Sequence, residues 1–507
     1  MLAAVHSAAV LGIEAYDVTV EVDAALGLPT WTIVGLAASA VKESRERVCA
    51  ALHNSGLAVP PRRVTVNLAP ADTRKTGTAF DLPIALGLLV ATGQLPERAL
   101  EGVVAVGELG LDGEVRQVRG ALPIARWVAE HTAPRTLLVP EANLPECALV
   151  SGARLAIAHR LDALVGALRA GALPPAPRPP AIVAEPAADA GVDFAEVAGQ
   201  SAAKRALEIA AAGGHAALLV GAPGAGKTML ARRLPTILPA LTEPEALEVT
   251  AVHSVAGTLP PGVGLLATRP FRAPHHTVST AALVGGGSAP RPGEASLAHH
   301  GVLFLDELLE FPRSVLDALR QPLEDGRIVI ARAAAAVAFP ARFTLIGATN
   351  PCPCGHAGDP RRACTCSASE VARYRQRLSG PLADRIDLHV SVAPLPVREL
   401  ADVAPAEPSA AIRTRVECAR ARQRRRYAAL HAVACNAQAP ARWLDRHGQV
   451  AREGRELLAA AADRLGLSAR GYHRVLKVAR TIADLAGDEV VPVAAVAEAL
   501  RYRGVAA

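Results

Sequence analysis

The stretch "ALLVGAPGAGKTMLARRL", residues 217–234, limits what this chain can fold into more than any other. An apolar run, a G-x-x-x-x-G-K-T turn and a helix-forming segment follow one another, the order strand, phosphate-binding loop, helix. Gly221, Gly224 and Gly226 let successive backbone N–H groups face phosphates with no Cβ in the way. Ala222, Pro223, Ala225 and Met229 complete the nucleotide-binding stretch. Lys227 is expected to reach the β- and γ-phosphates, Thr228 to bind Mg²⁺ through its hydroxyl, and the helix N-terminus to add its positive dipole end. The chain has only five lysines (Lys42, Lys75, Lys204, Lys227, Lys477) among 54 basic residues, so a lysine at this place is informative.

A second stretch, "GVLFLDELLEF" at 301–311, fits that loop. Four apolar residues make a buried central strand ending on two carboxylates. Asp306 suits the Mg²⁺ role, and Glu307 can orient and deprotonate an attacking water. The acidic pair favours ATP hydrolysis over simple nucleotide binding. "ARFTLIGATNPCPCG" then reads as a further buried strand whose tip, Asn350, can hydrogen-bond the γ-phosphate or the lytic water.

At 507 residues the chain holds two to four domains. The proline- and alanine-rich segment 171–191 reads as a linker. Before it, 1–170 reads as an α/β domain with strands near 17–22, 31–34, 63–67 and 102–107 and helices near 37–54, 81–92 and 117–131. After it, 192–395 is a second α/β domain opening on an amphipathic helix from "DFAEVAGQSAAKRALEIAAAGG", and 405–507 is a helical, arginine-rich lid. No uncharged apolar run reaches the roughly 18 residues of a membrane span, and the opening lacks a basic leader with a cleavage site. A cytoplasmic, membrane-free protein is expected. The net charge of +6 permits a polyanionic partner without demanding one.

Four of the eight cysteines crowd into 349–369. Cys352, Cys354, Cys364 and Cys366 form two C-x-C pairs, and in a reducing compartment they suit a closed, structural Zn²⁺ site. Gly355, Gly358 and Pro360 would supply the turns, and Arg361 and Arg362 would offset the charge; reduced thiols in a surface loop are the alternative.

Beyond these motifs, Asn350 resembles the sensor-1 residue of AAA+ ATPases, and "LSGPLADRIDLHV" resembles their "DRFD" segment, which implies that Arg385 is an arginine finger acting on a neighbouring subunit. Arg470 falls where sensor 2 of the lid would be, in preference to Arg474 or Arg480. "RPFRAPHHTVSTAALVGGG", "PRPGEASLAHHGVLFLDELLEF", "NPCPCG" and the N-terminal "VNLAPADTRKTGTAFDLPIALGLL" together resemble the ComM/YifB family of magnesium-chelatase-like AAA+ ATPases along nearly the whole chain. One departure is His300, where asparagine is expected. The resemblance implies a Lon-protease-like (S5 domain 2-like) first domain, an AAA+ P-loop domain and a helical lid. It also implies a homo-hexameric helicase or branch-migration motor on single-stranded and branched DNA, working in natural transformation or recombination alongside recombination proteins.

Arg327 and Arg332 on an extra hairpin, Phe271 and Arg272 in the insertion 270–300 and the basic helix 413–430 are candidate DNA contacts, with solvated loops, a subunit interface or a solvated helix as the alternatives. In the first domain, Thr78 and Ala79 flank the expected protease nucleophile but no lysine base follows, so the domain is read as catalytically inactive, with Arg74 and Lys75 presented to solvent or nucleic acid. Two rivals remain: a chelatase-type remodelling ATPase acting on a protein partner, and a non-enzymatic assembly.

Overall fold

The computed structural model describes residues 1–173, 175–177, 191–287, 289–331, 336–359, 362–378, 380–394, 406–430 and 433–503. None of its helices is long and apolar enough to cross a membrane. The first domain is built on β1 (Leu2–Leu11), β2 (Glu14–Ala25), β3 (Thr30–Val34), β4 (Arg63–Ala69) and β5 (Val103–Ala105), a short hairpin of β6 (Glu108–Leu109) and β7 (Val115–Arg116), and β8 (Thr136–Pro140) and β9 (Arg154–Ala158). Seven of these form one sheet in the order β3-β4-β2-β1-β5-β8-β9, antiparallel where β2 meets β1 and β4 and parallel elsewhere. In β2 the period-2 pattern buries Val18, Val20, Val22 and Ala24 on one face. The wholly buried helix Asp81–Ala91 lies on that sheet at Gly87, where a Cβ would meet Val22 Cγ2 at 2.6 Å. The expected elements are present. The unanticipated strand β1 is alanine-rich, a composition that weakens any strand signal.

The second domain carries β10 (Ala217–Val220), β11 (Phe271–Arg272), β12 (Val302–Leu305), the antiparallel hairpin β13 (Arg327–Ala331) with β14 (Ala336–Pro340), β15 (Thr344–Thr349) and β16 (Leu388–Ser391). A five-stranded parallel sheet runs β11-β12-β15-β10-β16, so β15 is inserted between the P-loop strand and the strand ending in Asp306. The opening helix is shorter than expected. Asp193 caps a single turn, Phe194–Glu196, and Gln200, with φ 53°, breaks the chain before the helix Ser201–Gly213 begins. Helices Ser409–Arg426, Ala441–His447, Arg452–Leu465, Ala469–Ala486 and Val493–Arg501 make the helical C-terminal part and share one core with the second domain. Of the expected linker, Pro175 bridges to Ala156; most of the segment lies outside the described residues.

Two of the contacts between the first domain and the second involve glycines. Helix Ala121–Ala129 packs on helix Glu243–Ala256, where the Gly120 N–H donates to the Ser254 carbonyl at 3.1 Å. At the β1–β2 turn, Gly12 (φ 70°) lies so close to β14 that a Cβ would sit 2.8 Å from the Ala338 carbonyl oxygen.

Candidate nucleotide site

The P-loop residues, Asp306, Glu307 and Asn350 converge at the carboxyl ends of β10, β12 and β15, the edge where open parallel sheets bind ligands. Gly224 and Gly226 have φ of 77° and 90°, which a side chain would strain. Gly221 has no room for one, since a Cβ would lie 2.3 Å from the Val392 carbonyl oxygen. The helix Lys227–Ile237 starts directly from the loop. Lys227 Nζ donates to the carbonyls of Gly221 (2.6 Å) and Ala222 (3.0 Å) and to Asn350 Oδ1 (3.1 Å). Burial pulls its pKa below the ordinary lysine value, and the nearby carboxylates of Asp306 and Glu307 oppose that. Thr228 Oγ1 donates to Asp306 Oδ2 at 2.6 Å, so the two candidate Mg²⁺ ligands already face each other.

Glu307 is exposed and adopts a left-handed backbone, φ 50°. Such a conformation in a non-glycine residue turns the chain sharply at the strand end and is a recurrent feature of working sites. Its Oε2 lies 3.2 Å from His276 Nδ1. Sequence reasoning missed His276. It reaches the site from the segment between β11 and the helix Thr280–Val284, and only the paired histidines in "RAPHHT" hinted at it.

At the opposite, amino ends of the same strands, a cavity of about 420 Å³ is lined by residues that include Arg269, Arg385, Arg420, Arg474 and Lys477. Arg385 is buried there, its guanidinium held by Glu324 and by the Pro381 carbonyl, with Nε unpaired among the described residues. Arg474 donates to the Arg385 carbonyl (2.8 Å) and to Asp387 Oδ1 (2.6 Å). Asp387 also meets His215 Nδ1 at 2.9 Å. Burial raises its pKa, yet Arg474 and His215 outweigh that and hold the carboxyl well below its usual range. Arg470, exposed on the second residue of helix Ala469–Ala486, is an electrostatic neighbour of Arg385. Arg385 and Arg470 are thus brought to one another, at the other end of the sheet from this chain's own Lys227.

The four cysteines come together. The Cys352, Cys354, Cys364 and Cys366 sulfurs all lie within 4.8 Å of one another, a group able to hold a metal ion. N–H donors of His356 and Thr365 pull the Cys354 thiol below its ordinary pKa, towards the thiolate that a metal needs. Arg362 is exposed nearby, whereas Pro360 and Arg361 lie outside the described residues. Glu248, His299 and His300 form a second close group. There the Arg342 N–H donates to His299 Nδ1 (3.0 Å), leaving Nε2–H to donate to Glu248 Oε2 (3.0 Å), so this trio is a hydrogen-bond network. His300 has φ 55°, a region that asparagine tolerates well, which accounts for the residue expected there.

Several candidate nucleic-acid contacts have structural partners. Phe271 and Arg272 form β11, the edge strand beside β12. Phe271 stacks on Phe304 (ring centroids 5.9 Å apart), and Arg272 binds Glu294 with two hydrogen bonds of 2.6 and 2.8 Å. In the basic helix, Arg413 holds the Thr236 carbonyl, Arg415 binds Glu208 and Glu407, Arg420 holds the Ala211 carbonyl and Arg426 binds Asp484. Arg413, Arg415 and Arg420 fasten the helix to the second domain and Arg426 fastens it to helix Ala469–Ala486, while Arg424 and Arg425 stay exposed. Arg327, at the start of β13, is exposed; Arg332 lies outside the described residues. Lys75 is fully buried instead of facing solvent, in a bridge with Ala37, and its ammonium has no partner among the described residues. Thr78 Oγ1 donates to Glu108 Oε2.

Three family models match the chain: "Magnesium chelatase, subunit ChlI" over 193–400, "Subunit ChlI of Mg-chelatase" over 20–143 and "Magnesium chelatase, subunit ChlI C-terminal" over 406–503. Competence protein ComM of Haemophilus influenzae is 45% identical over 510 residues, covering 99% of this chain and 97% of that protein. The YifB protein of Escherichia coli is 42% identical over 511 residues with the same coverage. The magnesium-chelatase 38 kDa subunit of Rhodobacter capsulatus is 28% identical over 176 residues, 31% of this chain and 50% of that subunit.

Proposed function

Because the chain belongs to the ComM/YifB family of magnesium-chelatase-like AAA+ ATPases, we propose that it is an ATP-driven motor that unwinds or branch-migrates DNA as a homo-hexameric ring. The observation that carries the catalytic half is the convergence of Lys227, Thr228, Asp306, Glu307 and Asn350 at one edge of the sheet. The full-length match to a competence protein supports DNA as the substrate and DNA integration during transformation as the setting.

ATP bound on the loop would exchange the two carbonyl contacts of Lys227 for phosphate oxygens, and the amides of 221–228 would cradle the α- and β-phosphates. Thr228 and Asp306 are the residues to hold Mg²⁺, which when bound neutralises charge on the phosphates. Glu307 takes the proton of the attacking water. His276 beside it restrains that carboxylate until substrate is in place. Asn350, hydrogen-bonded to Lys227, reads the γ-phosphate position. Arg385 and Arg470, at the opposite end of the sheet, serve the nucleotide of a neighbouring subunit. The four-cysteine loop holds a structural zinc ion.

The test is ATPase rate with and without single-stranded DNA, together with strand displacement on forked and four-way substrates. DNA stimulation and displacement are expected, and both should vanish in Lys227→Ala and Glu307→Gln. ATP hydrolysis indifferent to DNA, with no displacement by an assembled ring, would reject the DNA motor and favour the remodelling of a protein partner.

A further inference from the structure

The four-cysteine loop stands beside the P-loop. Cys352 follows Asn350 by two residues, and Asn350 is the side chain that meets Lys227 at 3.1 Å. At the turn after Cys354, Gly355 has φ 84° and donates its N–H to the Cys352 carbonyl at 3.0 Å. A Cβ on Gly355 would lie 2.6 Å from Pro223 Cδ and 2.8 Å from Pro223 Cγ, so this turn packs its bare backbone against the P-loop. One turn therefore carries two of the four sulfurs and also touches the nucleotide-binding loop.

The two C-x-C turns meet through sulfur. Cys352 Sγ lies 3.3 Å from Cys354 Sγ and 3.6 Å from Cys364 Sγ, and Cys354 Sγ lies 3.6 Å from Cys364 Sγ. A disulfide needs about 2.05 Å, whereas sulfurs each about 2.3 Å from a tetrahedral zinc ion stand about 3.8 Å apart. The Ala357 N–H donates to Cys352 Sγ (3.2 Å) and the Cys354 N–H to Cys366 Sγ (3.4 Å), so backbone donors hold both turns around the sulfurs. After Cys366 the chain is anchored immediately, because Ser367 and Glu370 form a capping box on helix Ala368–Arg375. The second pair of sulfurs thus belongs to a fixed element, and the first pair belongs to the turn that leans on Pro223.

We infer that the four-cysteine loop, closed on one zinc ion, is a wall of the nucleotide site, and that its metal occupancy sets how tightly that site holds nucleotide. The inference rests on the readings of the P-loop as an ATP site and of the loop as a zinc site. With the metal bound, the capped helix holds the 352–355 turn against Pro223 and keeps Asn350 in register with Lys227. With the metal removed, four thiolates or thiols crowded together push apart, the turn withdraws, and Asn350 loses its place.

The experiment uses the full-length chain. Zinc content is measured by elemental analysis. Binding of a fluorescent ATP analogue is then titrated against protein as purified, after stripping with a chelator that is dialysed away, and after zinc is added back. One zinc per chain is expected, with affinity about tenfold weaker after stripping, the factor for one lost hydrogen bond to a charged group, and restored by zinc. Far-ultraviolet circular dichroism should not change on stripping. Gly355→Ala is expected to keep its zinc yet bind the analogue more weakly, because its Cβ meets Pro223. Equal affinity of the loaded and stripped forms would overturn the coupling and leave both underlying readings standing. No zinc in the native chain, with Cys364→Ser indistinguishable from it, would overturn the zinc reading and the inference together. Zinc-loaded protein that does not bind the analogue would overturn the ATP reading. Global unfolding on stripping would overturn a local wall in favour of a general fold requirement.

Discussion

At the scale of single residues, the site is a set of short polar contacts that nucleotide would exchange. Asn350 Oδ1 accepts from Lys227 Nζ, so Asn350→Ala should weaken ATP binding by no more than the roughly tenfold of one lost hydrogen bond to a charged group while slowing hydrolysis by about 10²-fold or more, the scale of removing one oriented hydrogen-bonding group. A binding titration beside a turnover assay separates the two effects. His276→Ala makes the converse prediction: if the imidazole restrains Glu307, hydrolysis in the absence of DNA should rise and the stimulation by DNA should shrink. These motif residues were legible in the sequence because each sits at the end of a strand or in a loop with its own local pattern, although Lys227 meets Asn350 123 positions on and Thr228 meets Asp306 78 positions on. His276 was not. Its partner Glu307 is 31 positions away, and nothing in "APHHTVS" states that distance.

At the scale of elements, buried polar networks join helices to the sheet. Asp387, between His215 and Arg474, ties helix Ala469–Ala486 to the amino end of β16. Its removal leaves a cation and an imidazole without their acceptor, and Asp387→Ala should destabilise the chain by about 3–5 kcal/mol, measured by urea unfolding. The Glu248–His299–His300 network sets a pH dependence. Burial lowers the His299 pKa from 6.5 to about 4, so the unfolded chain binds the proton that the folded chain refuses. Stability contributed there is present above pH 6.5 and is lost as pH falls from about 6.5 to about 4. Glu248, held below its ordinary value by hydrogen bonds from both histidines, adds loss of the same sign as it is protonated. The melting temperature should drop across that interval, and His299→Gln should flatten the drop.

The basic helix shows why composition misleads at this scale. Its arginines read either as a DNA-binding face or as a solvated helix, and neither reading shows that Arg426 finds Asp484 58 positions away or that Arg415 finds Glu208 207 positions away. Partners so distant leave no local pattern. The same holds for Lys75, which the sequence puts in a polar loop and the fold seals inside the first domain. Phe271 and Arg272 form a two-residue strand, too short for a period-2 signal.

For the whole molecule, the separation of the two ends of the second sheet matters most. Lys227 stands at the carboxyl edge, and Arg385 with Arg470 stands at the amino edge. If Arg385 works across subunits, a mixture of Lys227→Ala and Arg385→Ala chains should recover part of the ATPase activity that each lacks alone. A recovered rate that depends on the mixing ratio would support action across the interface, and no recovery at any ratio would count against it.

If Arg385 does act across subunits, those two unlike edges also limit which assemblies complete a site. A pairing through a twofold axis makes reciprocal contacts, so it would have to gather both edges of each subunit into one patch to complete any site, and the two edges lie at opposite ends of the sheet. Head-to-tail contact completes one site per junction but always leaves an open plug at one terminus and an open socket at the other, until the chain of subunits bends round on itself. Closure is therefore the first state in which every site is whole. On that premise a partly assembled arc would carry an idle site at its exposed terminus, and activity would rise more steeply than protein concentration.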